Sequence, residues 1–457
     1  MSTDHVYIDI ISLGCSKNLV DAERLTAMFE QAGAVARIID SLDDVANPDT
    51  NLIINTCGFI GDAKEESINT ILQAVQARLD GLISSVSVMG CLSERYISDL
   101  KNEIPEVDYW YGKYDWKGLV KDIIPMIAKN KPDSTINSTP TSPYIRAVST
   151  PPHSAYVKIS EGCNRFCAFC AIPLITGRHH SRPIDEIAAE VADLVNRGVK
   201  EFNIIAQDLS SYGHDLTDPD NGTTGHSLLA RLLEVLANIP GVEWIRLHYA
   251  YPADFPYDIL PVMAAHPNIC KYLDIALQHI SDNVLTNMRR HIDAEQTRHL
   301  IQRIRHEVPG IYIRTTLMVG FPGEGPEQFD ELIQFVKEQK FERMGAFAYC
   351  EEEGTFAAKN FKDSIPQDEK QRRLDQLMAV QEEISSAHNQ SLVGTLVKVL
   401  IDRQEDEYYI GRTQWDSPEV DPEVLIRATP DKPLYPGNFY YVTITDAMPF
   451  ELIAQVP

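Results

Sequence analysis

The chain has 457 residues, enough for two to four domains of about 100–200 residues each. Its 66 acidic residues outnumber its 41 basic ones, and the formal net charge of −25 favours a basic macromolecular partner over nucleic acid. No apolar run approaches the roughly 18–20 residues that span a bilayer, and no secretory signal is visible. The eight cysteines therefore indicate a reducing cytoplasm, with metal ligation or catalysis rather than disulfide bridges.

Residues 1–130 alternate between strand and helix patterns. Strands are predicted at 6–13, 34–39, 52–55 and 86–89, and helices at 19–31 and 63–79. This alternation predicts an α/β fold with a doubly wound parallel sheet. Residues 131–152 are rich in Pro, Ser and Thr and are predicted to form a linker between domains.

A second β/α series occupies residues 153–390. Its strands are predicted at 155–160, 201–206, 243–248, 272–277, 311–319 and 343–349, and a long helix at 368–387. Six strands predict an open (β/α)6 partial barrel that binds ligands at the carboxyl ends of its strands. Residues 391–457 are predicted to form a small all-β barrel, with strands at 396–401, 408–412, 423–426 and 440–445.

The most informative motif runs from Cys163 through Cys167 to Cys170. Three thiols at C-x₃-C-x₂-C spacing can hold three irons of a four-iron cluster and leave the fourth iron open to a substrate. A structural zinc knuckle is the alternative. However, the next cysteine downstream is Cys270, so no close fourth ligand completes a tetrahedron. The spacing favours a reactive iron–sulfur cluster.

A second cysteine set comprises Cys15, Cys57 and Cys91, each of which follows a predicted strand. Loops after the strands of a doubly wound sheet converge on one crevice, so the three thiols can meet there. A glycine adjoins each cysteine and lets the backbone approach a bulky ligand; these are Gly14, Gly58 and Gly90. Buried cysteine also serves as a small hydrophobe, so spacing alone leaves both a second cluster and simple packing open.

Both cysteine sets lie in segments that resemble a known family. The segments are residues 11–21 (ISLGCSKNLVD), 55–59 (NTCGF), 90–91 (GC) and 161–173 (EGCNRFCAFCAIP), the last continuing to residue 182. They resemble the methylthiotransferase family of radical S-adenosylmethionine (AdoMet) enzymes, and the resemblance covers nearly the whole chain. It implies an auxiliary-cluster domain at 1–130, a radical AdoMet domain at 153–390 and a TRAM domain at 391–457.

The resemblance also implies two 4Fe–4S clusters and AdoMet as cofactors. One AdoMet would donate a methyl group and a second would be the source of the radical that removes a substrate hydrogen. The ligands would be Cys15, Cys57 and Cys91 for the auxiliary cluster and the catalytic Cys163, Cys167 and Cys170 for the radical-generating one. Two further cysteines match no family ligand and are assigned to packing, namely Cys270 and Cys350.

Contacts to AdoMet are predicted on the same resemblance and on strand-end position. The residues are Phe169, Gln207, Asp208, Gly320 and Glu324. Phe169 resembles the aromatic position near the adenine, and the others follow the second and fifth predicted barrel strands. The alternative for each is an ordinary loop or core residue.

The family divides by substrate. Some members modify a tRNA adenosine, and one modifies the β-carbon of an aspartate in ribosomal protein S-twelve. TRAM domains that bind RNA are typically basic, yet residues 391–457 carry five Lys or Arg against eleven Asp or Glu. An acidic module repels phosphates and favours a basic protein, although it also promotes solubility. Residues 12–21 also resemble the protein-modifying branch, so a ribosomal protein is the predicted substrate and tRNA is disfavoured.

Two alternatives remain at this stage: a tRNA adenosine methylthiotransferase, and a non-catalytic iron–sulfur adaptor for RNA or the ribosome. The intact C-x₃-C-x₂-C motif argues against the adaptor. A flavodoxin- or ferredoxin-type electron donor, a cytoplasmic location, no membrane partner and a monomeric state complete the expectations.

Overall fold

The computed structural model describes residues 6–128, 146–218, 222–429 and 432–457. The chain divides into two compact units, Met1–Ser149 with Ala171–Arg178, and Thr150–Cys170 with His179–Pro457. None of the helices in these described ranges is long and apolar enough to cross a membrane. Most of the predicted linker, residues 131–145, lies outside the described residues.

The described end of the predicted linker is anchored to the first unit. Arg146 is buried, and its Nε lies 3.0 Å from Oε2 of Glu23. The other carboxylate oxygen of Glu23 accepts hydrogen bonds from the backbone N–H and the hydroxyl of Ser149, at 2.7 and 2.9 Å. Residues 146–149 therefore lie against the first helix of the chain rather than apart from it.

The first unit contains a five-stranded parallel sheet with helices on both faces. Its strands are β1 (Tyr7–Ser12), β2 (Val35–Ile39), β3 (Thr50–Thr56), β4 (Ser85–Gly90) and β5 (Tyr109–Trp110). Its helices are α1 (Ser16–Gln31), α2 (Gly61–Leu79), α3 (Cys91–Glu103), α4 (Trp116–Ala128) and the short α5 (Ile172–Thr176). The strand order β2-β1-β3-β4-β5 confirms the doubly wound sheet.

Apolar side chains on both faces of this sheet explain the fold. Ile10 of β1 packs in a core with Phe29 of α1, while the next residue, Ile11, packs in a second core with Ile54 of β3 and Ile71 of α2. Successive residues of a strand point to opposite faces, so a strand buried on both faces is apolar throughout. The helices cover both faces. Because the strands are parallel, the loops that follow them lie at one edge of the sheet.

The second unit begins with a six-stranded parallel sheet in the order β13-β12-β11-β10-β9-β6. Its strands are β6 (Ser154–Lys158), β9 (Glu201–Ile205), β10 (Trp244–Ala250), β11 (Ile269–Gln278), β12 (Tyr312–Val319) and β13 (Arg343–Ala348), with a separate antiparallel pair β7 (Ser160–Glu161) and β8 (His180–Ser181). The helices between them are α6 (Ile184–Asn196), α7 (Leu229–Ala237), α8 (Ile259–Ala265), α9 (Asp282–Asn287), α10 (Ala294–Glu307) and α11 (Pro326–Gln339), and α12 (Phe356–Asn360) follows β13. The predicted open (β/α)6 partial barrel is confirmed, and we call it the parallel barrel.

A closed five-stranded barrel follows the long helix α13 (Gln367–Ser391). Its strands are β14 (Leu396–Glu405), β15 (Tyr408–Thr413), β16 (Glu423–Arg427), β17 (Phe439–Ala447) and β18 (Glu451–Gln455). The prediction of an all-β module is confirmed, but β18 was missed. Only Leu452 and Ala454 of β18 face the core, so its alternation is too short to stand out in the sequence.

Buried ion pairs join this C-terminal barrel to the parallel barrel. Arg343 Nη2 lies 2.6 Å from Asp416, and Arg314 Nη1 lies 2.6 Å from Asp421. A third acidic residue, Asp402, pairs within the C-terminal barrel with Arg412 at 2.7 Å. These three aspartates are part of the acidic excess of residues 391–457, and they are neutralised internally. Only the remaining acidic residues can contribute to an outward-facing negative surface.

Candidate functional site

The three cysteines of the first unit lie at the carboxyl edge of its sheet. Cys15 follows β1 and precedes α1, Cys57 follows β3 directly, and Cys91 is the first residue of α3, just after β4. Cys15 is exposed, while Cys57 and Cys91 are buried. The fold therefore places all three thiols where ligands bind in a doubly wound sheet.

Two glycines allow the cysteine loops to approach one another. A Cβ atom on Gly14 would lie 2.7 Å from Cβ and 2.8 Å from Sγ of Cys57, and the φ of Gly14 is +88°. A Cβ atom on Gly58 would lie 2.8 Å from the carbonyl carbon of Cys91. Real Cβ contacts are not this short, so any side chain at either position would push the cysteine loops apart.

Asn18 ties the three strand ends together. Its Nδ2 donates to the carbonyl oxygens of Leu13, at 3.0 Å, and Thr56, at 3.1 Å, while its Oδ1 lies 3.4 Å from Sγ of Cys91. Because these partners come from three different strand-end loops, the amide fixes their relative positions. Sequence reasoning did not single out Asn18, although its position in the 11–21 segment is a signal that could have found it.

Lys113 brings a buried positive charge to the same edge. Its Nζ lies 3.8 Å from Sγ of Cys91 and 3.3 Å from Oδ2 of Asp21. Burial raises the pKa of the Cys91 thiol to about 12; the ammonium of Lys113 opposes this, and the nearby Cys15 and Cys57 thiols add to it. The three thiols thus interact electrostatically, and Cys91 would have to lose its proton to hold an iron. No sequence signal marked Lys113.

The cysteines of the second unit lie on the loop between β7 and α5. Cys163 and Cys167 are buried and Cys170 is partly exposed. The backbone N–H of Ala168 donates to the carbonyl oxygen of Met288 at 2.9 Å, and the Ala168 carbonyl accepts from the N–H of Ala357 at 2.7 Å. The loop is therefore held from both sides, which keeps the spacing of its thiols fixed.

The chemistry around these thiols fits iron–sulfur clusters. Sulfur atoms of this loop are near hydrogen-bond donors: the backbone N–H of Arg165 lies 3.5 Å from Cys163 Sγ, and Nη1 of Arg290 lies 3.2 Å from Cys167 Sγ. Nowhere in the described ranges do three Cys, His, Asp or Glu side chains converge on a single metal ion. Ligands of a four-iron cluster each bind a different iron, so they need not converge in that way.

The predicted AdoMet residues near β12 are engaged with other parts of the second unit. The ring of Phe169 packs edge-on against Phe321, with centroids 6.3 Å apart. Glu324 is buried; it accepts a hydrogen bond from the N–H of Gly320 at 2.9 Å and pairs with Arg373 of α13 at 2.6 Å. The roles of Phe169, Gly320 and Glu324 in AdoMet binding stay predictions.

The two predicted AdoMet residues after β9, Gln207 and Asp208, each have one polar atom with a hydrogen-bond partner and one without. Asp208 Oδ2 accepts from Nε of Arg165 at 2.6 Å, and Gln207 Nε2 donates to Glu161. Buried polar atoms without a hydrogen-bond partner among the described residues include Gln207 Oε1 and Asp208 Oδ1 after β9, Arg165 Nη2 in the cysteine loop, Gln278 Oε1 at the end of β11 and Arg290 Nε after α9. Unpaired buried polar atoms cost free energy, so these atoms fit a polar ligand such as AdoMet.

Three family profiles match the chain. The Radical SAM superfamily matches residues 157–336, the TRAM domain matches 393–456, and Uncharacterized protein family UPF0004 matches 7–112. The three profiles fall in turn on the parallel barrel, the C-terminal barrel and the five-stranded sheet. The Radical SAM match contains Cys163, Cys167 and Cys170, and the UPF0004 match contains Cys15, Cys57 and Cys91.

Curated relatives match over nearly the full length. The ribosomal protein uS12 methylthiotransferase RimO of Porphyromonas gingivalis is 53% identical over 449 residues, which is 98% of both chains. RimO of Phocaeicola vulgatus is 55% identical over 450 residues, covering 98% of this chain and 99% of its own. The chain belongs to the RimO family.

A structural likeness agrees with the RimO assignment at the level of fold. The radical S-adenosylmethionine methyltransferase TsrM from Kitasatospora setae has a TM-score of 0.53 and 12% identity, covering 75% of this chain and 72% of TsrM. At that identity the likeness shows the fold alone.

The two cysteines assigned to packing differ in their surroundings. Within this RimO-family chain, Cys270 is buried beside Trp244 and Tyr272, as predicted, but Cys350 is exposed, so its assignment to packing was wrong.

Proposed function

We propose that the chain methylthiolates the β-carbon of an aspartate in ribosomal protein uS12 (S-twelve). The observation that carries this proposal is the match to RimO enzymes at 53–55% identity over 98% of the chain. The cofactors are two 4Fe–4S clusters and AdoMet. When bound, these groups supply the methylthio group and the one-electron chemistry needed to replace a C–H bond by a C–S bond.

The side chains of this protein would hold and orient those groups. Cys15, Cys57 and Cys91 would bind the auxiliary cluster, with Lys113 offsetting negative charge beside Cys91. Three thiolates from Cys163, Cys167 and Cys170 would bind the second cluster and leave one iron without a protein ligand. The AdoMet contacts are proposed to be Phe169, Gln207, Asp208, Gly320 and Glu324. Domain boundaries are proposed at 1–130, 131–152, 153–390 and 391–457.

The proposed partners follow from the substrate and the chemistry. A flavodoxin- or ferredoxin-type protein would supply electrons, and the enzyme would act as a monomer in the cytoplasm, where ribosomal proteins are found. Of the acidic residues of the C-terminal barrel, Glu405, Asp406 and Glu407 form a contiguous exposed run at the turn between β14 and β15. Glu405 and Glu407 also form solvent-exposed ion pairs with Arg403 and Arg427, at 2.6 and 2.9 Å. This turn would attract a basic ribosomal protein and repel tRNA phosphates.

The test is a mass measurement on both candidate substrates. Purified uS12 and unmodified tRNA are incubated separately with reconstituted enzyme, AdoMet and dithionite. We expect a methylthio mass gain on one aspartate of uS12 and none on tRNA. A gain confined to tRNA would overturn the protein substrate, and AdoMet cleavage with neither substrate modified would overturn the reaction as proposed.

A further inference from the structure

Cys167 has a charged hydrogen-bond donor that the mechanism above does not use. Nη1 of Arg290 lies 3.2 Å from Cys167 Sγ, and Arg290 is 3% exposed. The hydroxyl of Tyr251 lies 3.6 Å from the same sulfur. However, that hydroxyl donates to the carbonyl oxygen of Arg290 at 2.9 Å, so its single proton is already used. The guanidinium is therefore the donor to this sulfur.

Several contacts hold the guanidinium in place. Its Nη2 donates to the carbonyl oxygen of Ala276 at the end of β11, and its plane lies over the ring of Tyr251 with 4.1 Å between Cζ and the ring centroid. The backbone of Tyr251 is itself fixed, because Ser210 Oγ hydrogen-bonds to both its N–H and its carbonyl oxygen at 2.9 Å. Arg290 is thus positioned by β11 and by the residue that directly follows β10.

The backbone on either side of Arg290 is held in an unfavourable conformation. Arg289 and His291 have φ values of +57° and +55°, in the left-handed region that residues other than glycine rarely adopt. Strained backbone of this kind persists where the surrounding structure imposes it, and it is common at active sites. Arg289 and His291 thus flank Arg290, the residue of this loop whose side chain contacts the sulfur of Cys167.

We propose that Arg290 is a positioning residue that tunes the reduction potential of the cluster bound by Cys163, Cys167 and Cys170. This inference rests on the proposed ligand role of Cys167. An arginine carries its charge at all accessible pH values. A charged hydrogen bond to a ligand sulfur withdraws electron density from the cluster and favours its reduced, more negative state. Removing the guanidinium should therefore make the cluster harder to reduce.

The test is a redox titration of the reconstituted holoenzyme, followed by the electron paramagnetic resonance signal that changes on AdoMet addition. That signal separates this cluster from the auxiliary one. For Arg290→Gln we expect an equilibrium constant for one-electron reduction at least tenfold smaller, which corresponds to a midpoint about 59 mV more negative. Tyr251→Phe removes the hydrogen bond that holds the Arg290 backbone and should shift the midpoint the same way by less.

Arg289→Gln is the matched control. Arg289 is exposed and lies over the ring of Phe356, with 3.6 Å between Cζ and the ring centroid, so its loss should leave the midpoint unchanged. Arg290→Lys keeps the charge and should recover part of the shift. An Arg290→Gln enzyme with full iron content and the wild-type midpoint would overturn the inference. So would loss of the cluster in Arg290→Gln with a wild-type midpoint in both Arg290→Lys and Tyr251→Phe. A wild-type enzyme without an AdoMet-responsive signal would instead overturn the ligand assignment.

Discussion

Glu201, the first residue of β9, forms a fully buried ion pair with Arg412 of the C-terminal barrel, with Nη2 and Oε2 2.7 Å apart. Arg246 of β10 contacts the other carboxylate oxygen at 3.1 Å. Burial alone would raise the pKa of Glu201, but the guanidinium groups of Arg412 and Arg246 hold it well below its ordinary value. One carboxylate therefore joins the parallel barrel to the TRAM domain.

Breaking this pair should strongly destabilise the second unit. In Arg412→Met the carboxylates of Glu201 and Asp402 lose a buried partner, and removing one member of a buried pair typically costs about 3–5 kcal/mol. We expect a large fall in the thermal unfolding midpoint, measured by circular dichroism. The control is Arg427→Met, because Arg427 and Glu407 are 72% and 60% exposed and such pairs contribute about 0–1 kcal/mol. Equal shifts in both variants would contradict this account.

The pH dependence of stability should depend in part on His388 of α13. Burial, together with the charge of Arg343, lowers the pKa of His388 from 6.5 to about 4. Between these values the unfolded chain binds a proton that the folded chain does not. The stability present above pH 6.5 is therefore lost as the pH falls towards 4.

Replacing His388 with Phe tests this prediction. The His388 ring packs edge-on against Tyr312, with centroids 4.6 Å apart, and Phe preserves an aromatic contact there. We expect the fall in the unfolding midpoint between pH 7 and pH 5 to be smaller in His388→Phe than in the wild type. His299→Phe, at an exposed position of α10, should leave the pH dependence unaltered. An identical slope in all three proteins would count against the assignment.

The sequence predicted the layers of the fold because its parallel strands are buried. Strand β3 contains Leu52, Ile53 and Ile54, all fully buried, and such an uninterrupted apolar run is visible without a structure. In contrast, β5 has two residues and β18 has five, so neither has enough alternation to be recognised. The hydrophobic pattern therefore could not show that β5 and β18 pair with neighbouring strands.

The cysteines were likewise visible as motifs, but the residues around them were not. Arg290 is 123 residues from Cys167 along the chain, and Lys113 is 22 residues from Cys91. Only tertiary packing brings these charges to the sulfur atoms. The sequence also did not show that Glu324 pairs with Arg373, since Arg373 lies 49 residues away on α13. Charge counting also treated buried aspartates as surface, because a sequence does not show which carboxylates are paired.

Removing one thiol from each cysteine set should separate the two clusters. Cys163→Ala should lose the second cluster and all AdoMet cleavage, while Cys91→Ala should lose the auxiliary cluster and methylthio transfer but still cleave AdoMet on reduction. In each variant the iron content should fall from about eight to about four per chain. Cys350→Ser, at an exposed cysteine, is the control and should retain both clusters. Full iron content in Cys91→Ala would exclude Cys91 as a ligand.

Lys113 should matter for retention of the auxiliary cluster. Lys113→Met removes the ammonium that lies 3.8 Å from Cys91 Sγ and 3.3 Å from Oδ2 of Asp21. We expect lower stability and less auxiliary iron after desalting. The double variant Asp21→Asn with Lys113→Met removes both charges of this ion pair, so it should recover stability but not iron retention. Recovery of both would make Lys113 a structural residue only.

The acidic turn between β14 and β15 should strengthen binding to uS12. Glu405 and Glu407 are exposed, whereas Asp406 between them has a φ of +46° and would add backbone strain if replaced by lysine. The test variant is therefore Glu405→Lys with Glu407→Lys. Charges at the rim of an interface mainly alter association rate and salt dependence, so we expect roughly tenfold weaker binding at low salt.

A matched variant distinguishes this turn from a general charge effect. Glu382→Lys with Glu383→Lys reverses two exposed charges on α13 and changes the net charge of the protein by the same amount. It should weaken uS12 binding much less. The difference between the two variants should shrink at high salt, where exposed charges are screened. Both proteins should cleave AdoMet normally without uS12, since neither change touches the cysteine loops. Equal binding by the two variants would mean that the acidic turn does not contact the substrate, and that overall charge alone governs the encounter.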